Sequence, residues 1–271
     1  METRIPLASI FGGLGSVHPT LALVLVSLAT AVFMLFVFRL VSDQDGIRRA
    51  KAGVLGQLLA IRLFPDDPWV TVRALGGALR ANLWYLRRSL LPLFVMIVPL
   101  VLVIVELDLW FGRIPLLPGS STRVAIVFAN GDPGNTPEVA LEAPAGLIVE
   151  TPPLRIPSLH EVDWRVRAVS EGEYELQFRA GKNVASKRLI SGSGVQLRRV
   201  SPVRVRGGMI QAAINPGESP LDPSAGVESV SIDYPPRFFR ILGLELHWIV
   251  AYFILSLGFA FVLKKPFGVE V

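Results

Sequence analysis

From Thr20 to Phe38 the chain runs TLALVLVSLATAVFMLFVF, nineteen residues without a charge. At 1.5 Å rise per residue that length covers the ~30 Å hydrocarbon core of a bilayer, so the stretch reads as a membrane-spanning helix. A cleavable signal peptide has a basic leader, a shorter apolar core and a small-residue cleavage site. Residues 1–17 carry Arg4 as their one basic residue and the apolar run is long, so the helix is expected to be retained. A second uncharged run, Ser89–Val105, contains Pro92 and Pro99 and is expected to span with a bend. The third, Leu246–Leu263, starts near His247, carries Trp248 and Tyr252 at interface level, and closes on Lys264 and Lys265. With 51% hydrophobic and 18% charged residues, the composition is also wrong for an ordinary soluble domain, where about a quarter of residues are charged.

Charge placement orients these spans. Residues 42–88 hold eight basic side chains against four acidic ones, which places that loop in the cytoplasm. Lys264 and Lys265 place the C-terminus on the same side. The expected order is an extracytoplasmic leader (1–19), a first transmembrane helix (20–41) and a cytoplasmic basic segment (42–88). A second helix (89–109), an extracytoplasmic domain (110–239), a third helix (240–263) and a cytoplasmic tail (264–271) follow. The chain is thus a multi-pass protein of the cell inner (plasma) membrane. Its net charge of +5 does not suggest nucleic acid, because residues 110–239 carry fourteen basic and thirteen acidic side chains, and the excess lies in the cytoplasmic loop. No basic stretch is interleaved with aromatic residues as a nucleic-acid module would be, and no DNA partner is expected.

The cytoplasmic segment reads as a helical hairpin. Ile47, Ala50, Val54, Leu58 and Ile61 recur at three- and four-residue spacing and share one helix face. After FPDDP, where Asp67 can cap and Pro68 suits a first turn, Val72, Leu75, Leu79, Leu83 and Leu86 form a second apolar stripe. Arg73, Arg80 and Arg87 repeat every seven residues beside it, and the helix is expected to continue into the second span. The arginine stripe either rests on anionic lipid headgroups or receives an acidic partner, such as a ribosome or a nascent chain.

Residues 123–232 show no helical period but a series of short alternating runs bounded by Gly, Pro, Asn and Ser. Strands are expected at Arg123–Phe128, Glu138–Glu142, Leu147–Thr151, Glu161–Val169, Gly172–Ala180, Ala185–Ser191, Val195–Val200 and Ser229–Asp233. This spacing is that of an antiparallel β-sandwich of immunoglobulin-like type, so the fold class is an α+β membrane protein. Val162, Trp164, Val166 and Ala168 should face inward, as should Tyr174, Leu176 and Phe178. The Pro/Gly/Ser-rich residues 201–227 read as a mobile loop near the membrane.

Catalytic patterns are absent. The chain has no cysteine, which excludes disulfides, thiolate metal sites and a cysteine nucleophile. His18, His160 and His247 lack metal-ligand spacing, and there is no Walker loop, GxSxG or HExxH. No cofactor, metal or enzymatic activity is expected. The charges at membrane depth are more informative: Glu106 and Asp108 close the second span, and Arg39 closes the first.

An N-out helix ending in FRLVSDQDGIRRAK, a cytoplasmic helical hairpin and two further spans resemble the minimal three-helix members of the YidC-type membrane insertase superfamily. The resemblance implies a membrane-protein insertion or assembly factor, with Arg39 receiving substrates and Arg73, Arg80 and Arg87 contacting clients or ribosome. The competing expectation is a structural or scaffolding subunit of a membrane complex, docking partners through its β-domain.

Overall fold

The computed structural model describes residues 18–41, 68–129, 138–180, 183–241 and 243–268. The chain forms two compact units. One comprises residues 24–101 with 252–271, and the other residues 1–23 with 102–251.

The first unit is helical. Helix α1 (Pro19–Val41) begins with proline at its first position, where a fixed φ and a missing donor cost nothing, and ends with Arg39 in its last turn. Val26, Ser27, Thr30, Ala31 and Leu35 are buried along one face, and Leu25, Phe33, Phe36 and Leu40 are exposed on the other. Small residues on the buried face permit close helix approach, and the Tyr252 hydroxyl faces Thr30 and Ser256. Helix α2 (Pro68–Leu107) is continuous over 40 residues and runs through both Pro92 and Pro99. The expected first arm of the hairpin, residues 44–63, lies outside the described residues. Two helical stretches are long and apolar enough to cross a membrane, Pro19–Val41 and Phe94–Gly112.

The second unit is built from antiparallel sheets. One has the order β3-β5-β1-β9-β8, from Leu147–Val149, Glu161–Ala168, Ser121–Phe128, Val227–Ile232 and Val203–Val205, with β4 (Leu154–Ile156) also pairing β5. Another has the order β2-β6-β7, from Val139–Glu142, Gly172–Ala180 and Asn183–Ser191. Both sheets contribute to one hydrophobic core: Val124, Ile126, Val162, Trp164, Val166 and Val230 from the first, Leu176, Phe178 and Leu189 from the second. Trp164 meets Phe178 across it with ring centroids 5.7 Å apart. Seven of the eight expected strands form, and the inward face of β5 is as the alternation implies. Asp163, on the opposite face, is nevertheless buried, because Arg123 of β1 bonds it together with Glu161 and Asp233, each at 3.1 Å.

Three expectations are corrected here. Residues 195–200 do not form a strand: Val200 N–H donates to the Leu109 carbonyl at 2.7 Å, which draws the segment across the end of a helix instead of along a sheet. Residues 201–227 are not a simple loop but hold β8, a short helix α3 (Met209–Ile214) and a 3-10 turn at Pro223–Ala225, with Leu221 and Ala225 in the core. The third apolar helix, α4 (Trp248–Leu263), starts eight residues later than residue 240 and has 16 residues. The chain before it forms a hairpin, β10 (Phe238–Ile241) with β11 (Leu244–His247), seated by Phe239 against Phe111 at 6.2 Å.

The edge of β7 that faces away from β6 is closed without a neighbouring strand. Arg204 Nη1 donates to the Ser186 carbonyl, Arg188 N–H to Glu218, and Ile190 N–H to the Tyr234 hydroxyl, while Leu116 N–H donates to the Ile190 carbonyl.

Candidate functional site

The polar groups that the apolar sequence makes most conspicuous gather at the C-terminal end of α2, in the second unit. Glu106 lies one residue before the helix ends and its side chain is 4% exposed. A buried carboxylate must be paired or lose its charge, and Arg199 meets it as a fork, Nε to Oε1 at 3.1 Å and Nη2 to Oε2 at 3.2 Å. Trp110 Nε1 donates to the same Oε1 at 3.2 Å. The guanidinium then donates onward to the carbonyls of Gly217 and Pro216, at 3.1 and 2.7 Å. One arginine thereby ties the helix end to two distant segments. A planar five-donor fork does this where a lysine could not.

After Leu107 the helix widens into a π-turn, Asp108–Gly112. Gly112 is required by close approach: a Cβ there would sit 2.2 Å from Asp108 Oδ1 and 3.3 Å from Trp248 Nε1. The widened turn brings Asp108 to the rim of a cleft of about 300 Å³. Ile104, Val105, Leu109, Ile214 and Ile249 form its apolar walls, and Asp108, Ser201, Asn215 and His247 its polar rim. Asp108 has Arg113 at 3.9 Å, long for an ion pair, so the carboxylate retains acceptor capacity.

Behind the rim lies a buried ion pair. Lys187, fully buried in β7, donates from Nζ to the Ser201 carbonyl at 2.7 Å, to Ser201 Oγ at 3.4 Å and to Glu218 Oε1. Burial pushes the lysine below its usual range, against the opposing pull of Glu218. All three ammonium protons are engaged, and the Ser201 hydroxyl donates to the Val203 carbonyl at 3.1 Å. The Lys187–Ser201 pair therefore fixes the 199–218 segment in place and is not arranged as base and nucleophile, which would need a free lone pair on Nζ. Gly217 packs on it: a Cβ there would lie 2.4 Å from Ser201 Oγ.

The residues expected to carry function lie elsewhere. Arg39 is exposed in the last turn of α1; Arg73, Arg80 and Arg87 all lie on α2, with Arg80 exposed. His18 places Nδ1 3.4 Å from Thr20 N–H at the start of α1, and His160 adopts φ 52° at the end of a 3-10 turn. Among the described residues no three His, Asp or Glu are placed to hold a metal ion. Glu106 and Asp108 were conspicuous in the sequence as boundary charges. Arg199, the partner of Glu106, was not. The separate Lys187–Glu218 pair left a signal, since Lys187 alternates with Ala185 and Leu189, a pattern that aims it at the core and so demands a buried acid. No protein-family model, curated protein or solved structure matches this chain.

Proposed function

We propose that the chain is a non-enzymatic scaffolding subunit of a plasma-membrane complex. In this reading it spans three times, with its N-terminus and an immunoglobulin-like β-sandwich outside the cytoplasm and its C-terminus inside. The observation that carries it is the Glu106–Arg199 fork, which anchors the 195–217 segment of the β-domain on the end of an apolar helix. A domain whose charges Glu106, Arg199, Lys187 and Glu218 are engaged in holding its own segments is suited to presenting a surface to a partner.

The insertase-like reading is the second, supported by the exposed Arg39 and Arg80, charges left accessible on apolar helices. One experiment separates the two: purification of the tagged protein from its native membrane in mild detergent, with quantification of what accompanies it. A single partner at constant ratio supports the scaffold. Ribosomal proteins with many unrelated membrane proteins at low occupancy overturn it in favour of an insertion factor.

A further inference from the structure

We propose that the cleft at the end of α2 binds one phospholipid with a primary-amine headgroup, of the phosphatidylethanolamine class. The proposal rests on the membrane reading above and goes beyond it by naming a ligand. Ile104 and Val105 close an uncharged run that begins at Ser89, and Ile249 opens the run that ends at Leu263, so the walls of the cleft lie where the hydrocarbon layer stops. Leu102, one turn before Val105 on the same side of α2, is 48% exposed and continues the apolar wall away from the rim. The polar rim sits at headgroup level. Apolar walls below and hydrogen-bonding groups above match an amphiphile, whose chain follows the helix while its head meets the rim.

Charge selects the head. Asp108 supplies a carboxylate whose nearest cation is 3.9 Å away, while Arg199 is consumed by Glu106 and two carbonyls and Lys187 by Ser201 and Glu218. The rim therefore offers an anion to the incoming head, with the Asn215 amide and the His247 ring as further hydrogen-bonding groups. A primary ammonium donates to Asp108 in a charge-assisted bond, and the phosphodiester accepts from the Asn215 amide and the His247 ring. A choline head has the charge without an N–H to donate, and a glycerol head has neither. About 300 Å³ at ~30 Å³ per water-sized group admits the head and the first methylenes, not a whole lipid, consistent with chains lying along the helix outside the cleft.

The test is quantification of lipid that stays with the detergent-purified full-length protein, by native mass spectrometry after exchange into mixtures of phosphatidylethanolamine, phosphatidylcholine and phosphatidylglycerol. The expected result is one retained phosphatidylethanolamine, preferred at least fivefold over the other two. Asp108→Asn, close in shape, should abolish that preference. Ile214→Trp, at an exposed position that enters the cleft from α3, should displace the lipid altogether. Equal retention of the three lipids by the wild type, or an unchanged preference in Asp108→Asn, overturns the proposal. The membrane reading fails separately, by release of the protein from membranes in alkaline carbonate without detergent.

Discussion

Glu218→Ala removes, in one truncation, the counter-charge of a fully buried ammonium and the acceptor for the Arg188 backbone N–H. Removing one partner of a buried pair costs about 3–5 kcal/mol, a large part of the ~5–15 kcal/mol that holds a domain folded. Lys187 would keep only the Ser201 carbonyl and hydroxyl, so its cheapest response is to lose its proton. The sign follows from linkage. With its folded-state pKa lowered by burial below the ordinary 10.5, the folded state favours the neutral amine more than the unfolded state does. The penalty for burying the ammonium is complete below the folded pKa and shrinks as pH rises from there toward 10.5, by about 1.4 kcal/mol for each unit crossed. Equilibrium urea unfolding in micelles, followed by near-ultraviolet circular dichroism, should therefore show a deficit of several kcal/mol at pH 7 and a clearly smaller one at pH 10. The double variant Lys187→Met with Glu218→Leu should recover much of the loss. A deficit under about 1 kcal/mol, or one equal at both pH values, would refute a charged, Glu218-dependent lysine.

Other positions make independent demands. Trp164→Ala opens a cavity against Phe178 between the sheets and should cost about 3–5 kcal/mol in the same assay. Gly146→Ala should cost about 2 kcal/mol or more, since φ is +101° and the new methyl would meet the Tyr174 hydroxyl at 2.6 Å; no change in the urea midpoint would contradict that contact. Arg237 is buried with one side-chain bond, Nη1 to the Gly194 carbonyl at 3.0 Å, and Nε and Nη2 without partners among the described residues. Burial lowers its pKa. Arg237→Met should thus be neutral or stabilising by up to about 2 kcal/mol, and a large loss of stability would mean that the guanidinium has a partner beyond the described residues.

What the sequence revealed and what it hid follow from the range of the forces involved. Period-two alternation is local, so Val162, Trp164, Val166 and Ala168 declared their face without knowledge of anything distant. The charge-free runs at Thr20 and Ser89 declared helices for the same reason. Residues 195–200 carry an equally good strand pattern, but Arg199 is held by a carboxylate 93 positions earlier, and no local period encodes that bond. The Pro/Gly/Ser-rich stretch misled in the opposite direction: its composition is that of a loop, yet Glu218 is drawn to Lys187, 31 residues away, and β8 pairs with β9. The late start of α4 has a similar origin, because Leu244–His247 finds a strand partner in β10.

The bonded margin of β7 bears on how a neighbour can recognise this protein. An open strand margin is a template for any extended peptide, and at the crowded surface of a membrane it invites copies of the same chain to zip together. Here Arg204, Glu218, Tyr234 and Leu116 already occupy the Ser186 and Ile190 carbonyls and the Arg188 and Ile190 N–H groups that such a peptide would use. A partner approaching from that side must read side chains, and its choice is then set by shape and charge instead of by generic backbone pairing. The same logic attaches a second cost to losing Glu218: the Arg188 N–H is freed, and a destabilised protein also becomes a sticky one.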